Sequence, residues 1–189
     1  EIIIDDNKRE DDNKSVQLST GFVATDSART STQTAAQKFA KPAKYDRRVL
    51  DDGAAKKAVK IDAFKSGVEV RSPYTGDVLK LTKQEAKRQY GENWTNHLAE
   101  ADHKIPLKKR YQQTKDNPWL TNDNIKASSN SRDNLEVVSR KYNNAKRSRS
   151  NKEFVTDSEY LERKGIEISE KGKVQAIESE KNAQRALRR

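Results

Sequence analysis

The apolar residues of this chain are too few and too unevenly placed to build one core from its whole length. Only 32% of the 189 residues are apolar and 36% are charged, whereas typical globular domains are roughly 45–50% apolar. Residues 5–37 are rich in Asp, Asn, Ser, Thr and Gln, with scattered apolar side chains. We therefore expect a small folded centre with polar flanks, the first being a disordered or weakly ordered leader over residues 1–44.

Hydrophobic spacing and capping residues predict the first elements after the leader. Apolar residues recur at three- and four-residue steps in the segment 45–65, which we expect to form an amphipathic accessory helix. Alternating apolar residues on both sides of a turn at residues 72–76 predict a β-hairpin. Thr82, with Glu85 three residues later, is typical of a capping box, and the helix that follows is expected to run to Tyr90.

These elements predict an α+β fold that ends in a charged helical tail at residues 155–189. Trp94 and Trp119 are expected to be core anchors, and the alternative is that they are platforms on which nucleic-acid bases stack. His97 is expected to have a structural role.

The positive charge of the chain is concentrated in one segment. The net charge is +10, and residues 102–152 hold thirteen Lys or Arg against five Asp or Glu. A surface that binds a polyanion such as nucleic acid has this distribution, although a solvated basic surface has it too. The chain has no Cys, which excludes disulfides and thiolate metal sites. From the concentrated positive charge we expect nucleic acid as the partner. No apolar run approaches the roughly 18 residues of a membrane span, so we expect no contact with a membrane.

Two short motifs hold the residues with catalytic potential. The first is Asp-His-Lys-Ile-Pro-Leu at residues 102–107. The second starts with Asn-Leu at residues 134–135 and continues as an expected short strand and a helix, with Asn143 nine residues after Asn134 and Lys146 three residues further on. Asn130, between the motifs, is interpreted as a turn residue.

The residue types in these motifs suit the hydrolysis of a phosphodiester. A histidine with a pKa of about 6.5 can take a proton from water at neutral pH. Aspartate and asparagine oxygens are hard ligands that suit Mg²⁺ or Mn²⁺. Adjacent residues of a regular strand face opposite sides, so Asp102 and His103 can serve one phosphate only from a strand end or a bulge.

Together, and in this order and spacing, the two motifs resemble the signature of the HNH endonucleases, also called ββα-metal nucleases. The resemblance covers residues 66–154, under half of the chain. It implies a small ββα-metal core with additional flanking helices, which cleaves DNA and leaves 5′-phosphate and 3′-hydroxyl ends.

The resemblance also implies roles for single residues. His103 matches the general base of the family, and Asp102 and Asn143 match the ligands of its Mg²⁺ or Mn²⁺ ion. Asn144 is an alternative ligand, but the nine-residue step from Asn134 favours Asn143. Asn134 matches the asparagine that ties the long loop and orients the base.

The basic residues around the second motif are expected to meet phosphate. Lys146 matches a frequent basic position of the family beside the scissile phosphate. With Arg147 and Arg149 it forms the predicted nucleic-acid-binding surface, although an exposed helix end would have the same composition.

Many HNH domains hold a structural zinc with two pairs of cysteines, and this chain resembles that plan without the thiols. Ser72 and Thr75 have the spacing of the first pair, and Ser139 and Tyr142 have the spacing of the second. Hydroxyl groups are poor zinc ligands compared with thiolates. We therefore expect no structural zinc, with Tyr74 and Tyr142 filling the space by packing.

The function expected from the sequence is that of a metal-dependent endonuclease; DNA is favoured over RNA as its substrate, and RNA stays an alternative. One alternative is a catalytically weak nucleic-acid-binding module on an HNH scaffold, and another is a charged, largely disordered interaction protein. We expect a cytoplasmic protein of a phage, mobile element or bacterium, and a secreted toxin stays an alternative.

Overall fold

The structure, a computed structural model, describes residues 41–42 and 44–188. The leader predicted at residues 1–44 therefore lies almost entirely outside the described residues. The α-helices are α1 (Arg47–Leu50), α2 (Gly53–Phe64), α3 (Lys83–Tyr90), α4 (Leu107–Thr114), α5 (Asn122–Ser129), α6 (Arg140–Lys146), α7 (Asn151–Val155), α8 (Ser158–Lys164) and α9 (Glu170–Ala186). The strands are β1 (Ala99–His103) and β2 (Leu135–Ser139), and a 3₁₀ helix spans Gly91–Asn96.

The two strands form an antiparallel sheet, so the predicted α+β class is confirmed. The register pairs Ala99 with Ser139 and His103 with Leu135, which places Asp102 opposite Glu136. Residues 104–134 connect the strands and contain α4 and α5. Helix α6 follows β2 without a loop, because the Ser139 side chain accepts a hydrogen bond from the Tyr142 amide and caps the helix.

The predicted hairpin is present in a short form, in which the Ser72 amide donates to the Asp77 carbonyl and the Leu79 amide to the Val70 carbonyl, both at 2.8 Å. A single antiparallel bridge joins Arg71 and Val78, and the Gly76 amide donates to the Ser72 carbonyl at 2.9 Å. The segment after the turn joins the sheet through a parallel bridge between Lys80 and Leu98. Its role is therefore to extend the edge of the sheet beside β1.

The segment predicted as one amphipathic helix is divided into α1 and α2. Asp51 and Asp52 have extended backbone conformations, and the Asp52 side chain caps α2 by accepting from the Ala55 amide. Leu50 is buried in α1, whereas no side chain of α2 is buried. The apolar periodicity of this segment therefore does not mark a core face.

Helix α3 has the predicted limits. The Thr82 hydroxyl accepts from the Glu85 amide, and Gly91, with φ of 56°, ends the helix. The Trp94 side chain that follows is half-buried, with the cationic groups of Lys83, Lys87 and Arg140 over its ring.

The predictions for Trp119 and His97 had different outcomes. The prediction that Trp119 anchors the core is wrong, because its side chain is 85% exposed in the connection between the strands. His97 has the structural surroundings that were expected: its ring stacks on Tyr90 at 3.5 Å and its Nδ1 lies 2.7 Å from the Val78 carbonyl.

The main core joins the sheet to the C-terminal helices. Its buried members are Tyr74, Val138, Tyr142, Ala145, Phe154, Val155, Tyr160, Leu161, Ile166 and Ala176. Side chains on both sides of the predicted boundary at residue 154 therefore share one core. A Cβ on Gly172 would lie 2.4 Å from the Tyr74 carbonyl oxygen, so α9 packs directly on the turn at residues 72–76. The tail is thus part of the folded unit.

Tyr74 and Tyr142 pack in the way predicted for a core without zinc. Both side chains are buried, and their ring centroids lie 5.6 Å apart. The absence of a structural zinc stays a prediction. Across the described residues, no helix is long and apolar enough to cross a bilayer.

Candidate functional site

A cleft of about 1200 Å³ brings together residues of both sequence motifs. One wall comes from α1 and α2, and the other from β1 and the end of α6. Asp102, His103 and Asn143 all line it, so the structure unites the predicted base with the two predicted metal ligands. The basic side chains around the cleft are Arg47, Lys56, Lys57, Lys60, Lys108 and Arg147.

His103 is the last residue of β1, as the alternation argument required. Its side chain is buried apart from the part that lines the cleft. Burial lowers the pKa of the imidazole below its usual value, while the Asn130 hydrogen bond and the Asp102 charge oppose this shift. The neutral form, which is the form that can accept a proton, is therefore favoured at neutral pH.

Asn130 is the residue that orients the imidazole, and the sequence analysis missed it. Its Oδ1 lies 2.8 Å from His103 Nε2. Its Nδ2 donates to the carbonyls of Leu50 at 2.7 Å and Lys126 at 2.8 Å, which fixes the direction of the amide. Nε2 therefore carries the proton and donates to Asn130, leaving Nδ1 as the basic nitrogen. An asparagine at a helix end is equally typical of a turn, so the sequence held no clear signal.

For the general-base role that the sequence predicts for His103, replacing Asn130 by aspartate should move the pH dependence of activity. A carboxylate beside Nε2 favours the imidazolium and raises the pKa of His103. Because the base must be neutral to act, the acidic limb of the profile of kcat/KM against pH should move to higher pH. Asn130→Ala should instead lower the rate at all pH values. Superimposable profiles for the wild type and Asn130→Asp would show that this contact does not tune the base.

Asp102 forms a buried ion pair with Lys146. The Lys146 ammonium donates to Asp102 Oδ2 at 2.5 Å and to the His103 carbonyl at 2.7 Å, and both side chains are buried. Lys146 therefore holds the end of β1, and a contact with phosphate would require it to leave Asp102. Its predicted role beside the scissile phosphate stays a prediction without support from this geometry.

Asn143 is held by Glu100, a second residue that the sequence analysis missed. Asn143 Nδ2 donates to Glu100 Oε2 at 2.8 Å, which leaves its Oδ1 with no hydrogen bond to the described residues. Glu100 also pairs with Arg140 at 3.6 Å and lines the cleft. It lies two residues before Asp102 on β1, so both carboxylates share one face of the strand. Asn144 lines the same cleft and is exposed.

Asn134 ties the long connection, as the resemblance implied. Its side chain accepts from the Ile105 amide at 2.9 Å and donates to the carbonyls of Ile105 at 3.0 Å and Ser129 at 2.8 Å. This ladder holds residues 104–134 closed at the end of the sheet. It acts on His103 through the backbone, whereas Asn130 makes the direct contact.

The two predicted arginine contacts lie in different places. Arg147 is exposed and lines the cleft. The Arg149 guanidinium lies 3.9 Å from the centroid of the Tyr160 ring and is not part of the cleft lining. Half of the basic lining, Lys56, Lys57 and Lys60, comes from α2, which was predicted only as an accessory helix.

The oxygen donors of the cleft fit a hard divalent ion with few protein ligands. Of the residues described, no three or more His, Cys, Asp or Glu side chains group together as a metal cage. Mg²⁺ usually keeps several waters and takes one or two carboxylates together with substrate phosphates. The oxygens that could bind the ion are the Asp102 carboxylate oxygen that does not contact Lys146 and the Asn143 Oδ1.

Comparison of the chain with protein-family models, with curated proteins and with solved structures finds no match. The motifs and the geometry of the cleft are therefore the features that indicate a function.

Proposed function

We propose that this protein is an endonuclease that hydrolyses phosphodiester bonds of DNA, with His103 as general base and with Mg²⁺ or Mn²⁺ bound by Asp102 and Asn143. The observation that carries the proposal is the meeting of these three side chains in one cleft lined by six Lys or Arg side chains. A basic cleft attracts a polyanion, and a neutral, oriented imidazole beside it can activate water.

In the proposed reaction, His103 Nδ1 takes a proton from a water molecule as the water oxygen attacks phosphorus. The bond between phosphorus and the 3′ oxygen breaks, and that oxygen takes a proton from solvent, which leaves 5′-phosphate and 3′-hydroxyl ends. Asn130 keeps the imidazole in the required tautomer throughout. When bound, the divalent ion would neutralise the charge that develops on the phosphoryl oxygens.

The direct test is the nicking of supercoiled plasmid DNA by the full chain. Nicking that requires added Mg²⁺ or Mn²⁺ and stops with EDTA would support the proposal. A chain that binds the plasmid without nicking it under any of these ions would support the alternative of a binding module on an HNH scaffold. One observation favours that alternative: the Lys146 ammonium already neutralises the Asp102 carboxylate.

Asn143 and its neighbour give a matched test of the proposed metal ligand. Asn143→Ala should lower metal-dependent nicking by roughly 10–100-fold or more, since changes even to residues that only support metal ligands cost this much. Asn144→Ala should leave nicking close to the wild-type rate, because Asn144 is exposed and the nine-residue step from Asn134 favours Asn143 as the ligand. The measurement is the nicking rate across a titration of Mg²⁺. If Asn144→Ala lowered the nicking rate more than Asn143→Ala, the metal ligand on α6 would be Asn144 and not Asn143.

A further inference from the structure

Helix α2 lies beside the sheet without burying a side chain. It contacts both β1 and β2, yet none of its twelve residues is buried. Most helices in proteins owe their stability to packing of an apolar face. The side chains that α2 presents to the cleft are instead Lys56, Lys57, Lys60 and Ile61. The face of α2 that is turned toward β1 is therefore basic and borders the open cleft.

The charges around this space are not balanced within the protein. Lys57 and Lys60, with Lys108 and Arg147 on the other side, form no ion pair with any described residue. Lys56 and Arg47 pair with Asp51. The two acidic side chains of the cleft are already engaged, Glu100 by Arg140 and Asn143, and Asp102 by Lys146. Both walls therefore carry unpaired positive charge.

The two unpaired lysines can act together on one phosphodiester strand. Lys57 and Lys60 are three residues apart and share one face of α2, so their Cβ atoms are about 5–6 Å apart. Each ammonium is carried on a flexible four-carbon stem, so the two cations can contact neighbouring phosphates of one strand.

We propose that α2 is the second wall of a nucleic-acid-binding cleft, in which Lys57 and Lys60 bind the backbone of the strand that lies against His103. The inference depends on the proposed function for the location of the scissile phosphate, while binding at α2 can be measured whether or not the chain cleaves DNA. The proposed contacts of Lys57 and Lys60 are to phosphate groups, so they contribute affinity and position rather than sequence specificity.

The test compares two variants with the same change in charge, both in the full chain with His103→Ala and EDTA to prevent cleavage. Lys57→Gln/Lys60→Gln removes the two α2 cations. Lys152→Gln/Lys171→Gln removes two exposed lysines outside the cleft. Glutamine keeps a strong helix preference. Affinity for a fluorescein-labelled duplex DNA is measured by anisotropy across a series of salt concentrations, and the same duplex is replaced by polyglutamate in a second series.

The α2 variant should bind DNA more weakly, and the slope of log K against log salt should become shallower by about 1.8, since each lost phosphate contact removes about 0.9. The control should keep the wild-type slope, and Lys57→Arg/Lys60→Arg should keep it too. An α2 variant with the slope of the control would overturn the inference even if the wild type nicks plasmid. Polyglutamate that binds as tightly as DNA and loses affinity equally would also overturn it, because the cleft would then select charge alone.

Discussion

Replacing His103 by alanine should lower the rate of DNA nicking by roughly 10²–10⁴-fold, the usual effect of losing a general base. The affinity for DNA should change little, because the imidazole is buried and held by Asn130 rather than presented among the basic side chains. The rate is measured by plasmid nicking with saturating Mg²⁺, and the affinity by anisotropy with EDTA.

The matched control is His97→Ala, since the chain has two histidines and this one stacks on Tyr90 outside the cleft lining. That variant should retain nicking. In the wild type, burial lowers the pKa of His103, so the active neutral form should persist to a pH below the usual value of about 6.5 for histidine. A His103→Ala variant with the wild-type nicking rate would end the proposed mechanism.

Replacing Lys146 by methionine should destabilise the fold by roughly 3–5 kcal/mol, because it leaves the buried Asp102 carboxylate without its partner. The same change removes the donor to the His103 carbonyl at the end of β1. The free energy of unfolding is measured by urea denaturation monitored by circular dichroism.

Two further variants distinguish the loss of stability caused by the unpaired charge from the loss caused by packing of the lysine side chain. Lys146→Met/Asp102→Asn removes both charges and should recover a large part of the lost stability, since a buried pair replaced by neutral groups of similar size is often tolerated. Lys181→Met, which breaks the exposed pair with Glu178, should have little effect. If the double variant were as unstable as Lys146→Met alone, the loss would come from the lysine stem and not from an unpaired charge.

Features of the fold that depend on neighbouring residues could be predicted from the sequence. Thr82 and Gly91 set the limits of α3 through their own hydrogen bond and backbone conformation. The alternation of a strand left a strand end or a bulge for Asp102 and His103, and His103 is the last residue of β1. The resemblance of the two motifs implied that Asn143 acts together with these residues, and it lines the same cleft.

Features that depend on distant partners could not be predicted in this way. Lys146 is buried only because Asp102 lies 44 positions earlier in the chain and meets it in three dimensions. Asn130 contacts His103, which lies 27 residues earlier in the chain. The apolar pattern of residues 45–65 predicted an amphipathic accessory helix, yet α2 borders a cleft, because periodicity reports which residues share a face but not what that face meets.

The surroundings of the two tryptophans have a spectroscopic consequence. The Trp119 indole is 85% exposed, so its fluorescence is that of an indole in water. The half-buried Trp94 indole lies under the Arg140 guanidinium. Arg140 forms an ion pair with Glu100, and Glu100 accepts a hydrogen bond from Asn143. Trp119→Phe therefore leaves Trp94 as the one tryptophan, connected by direct contacts to the proposed metal ligand. We expect the tryptophan emission of that variant to change when an ion or nucleic acid occupies the cleft, without any attached dye.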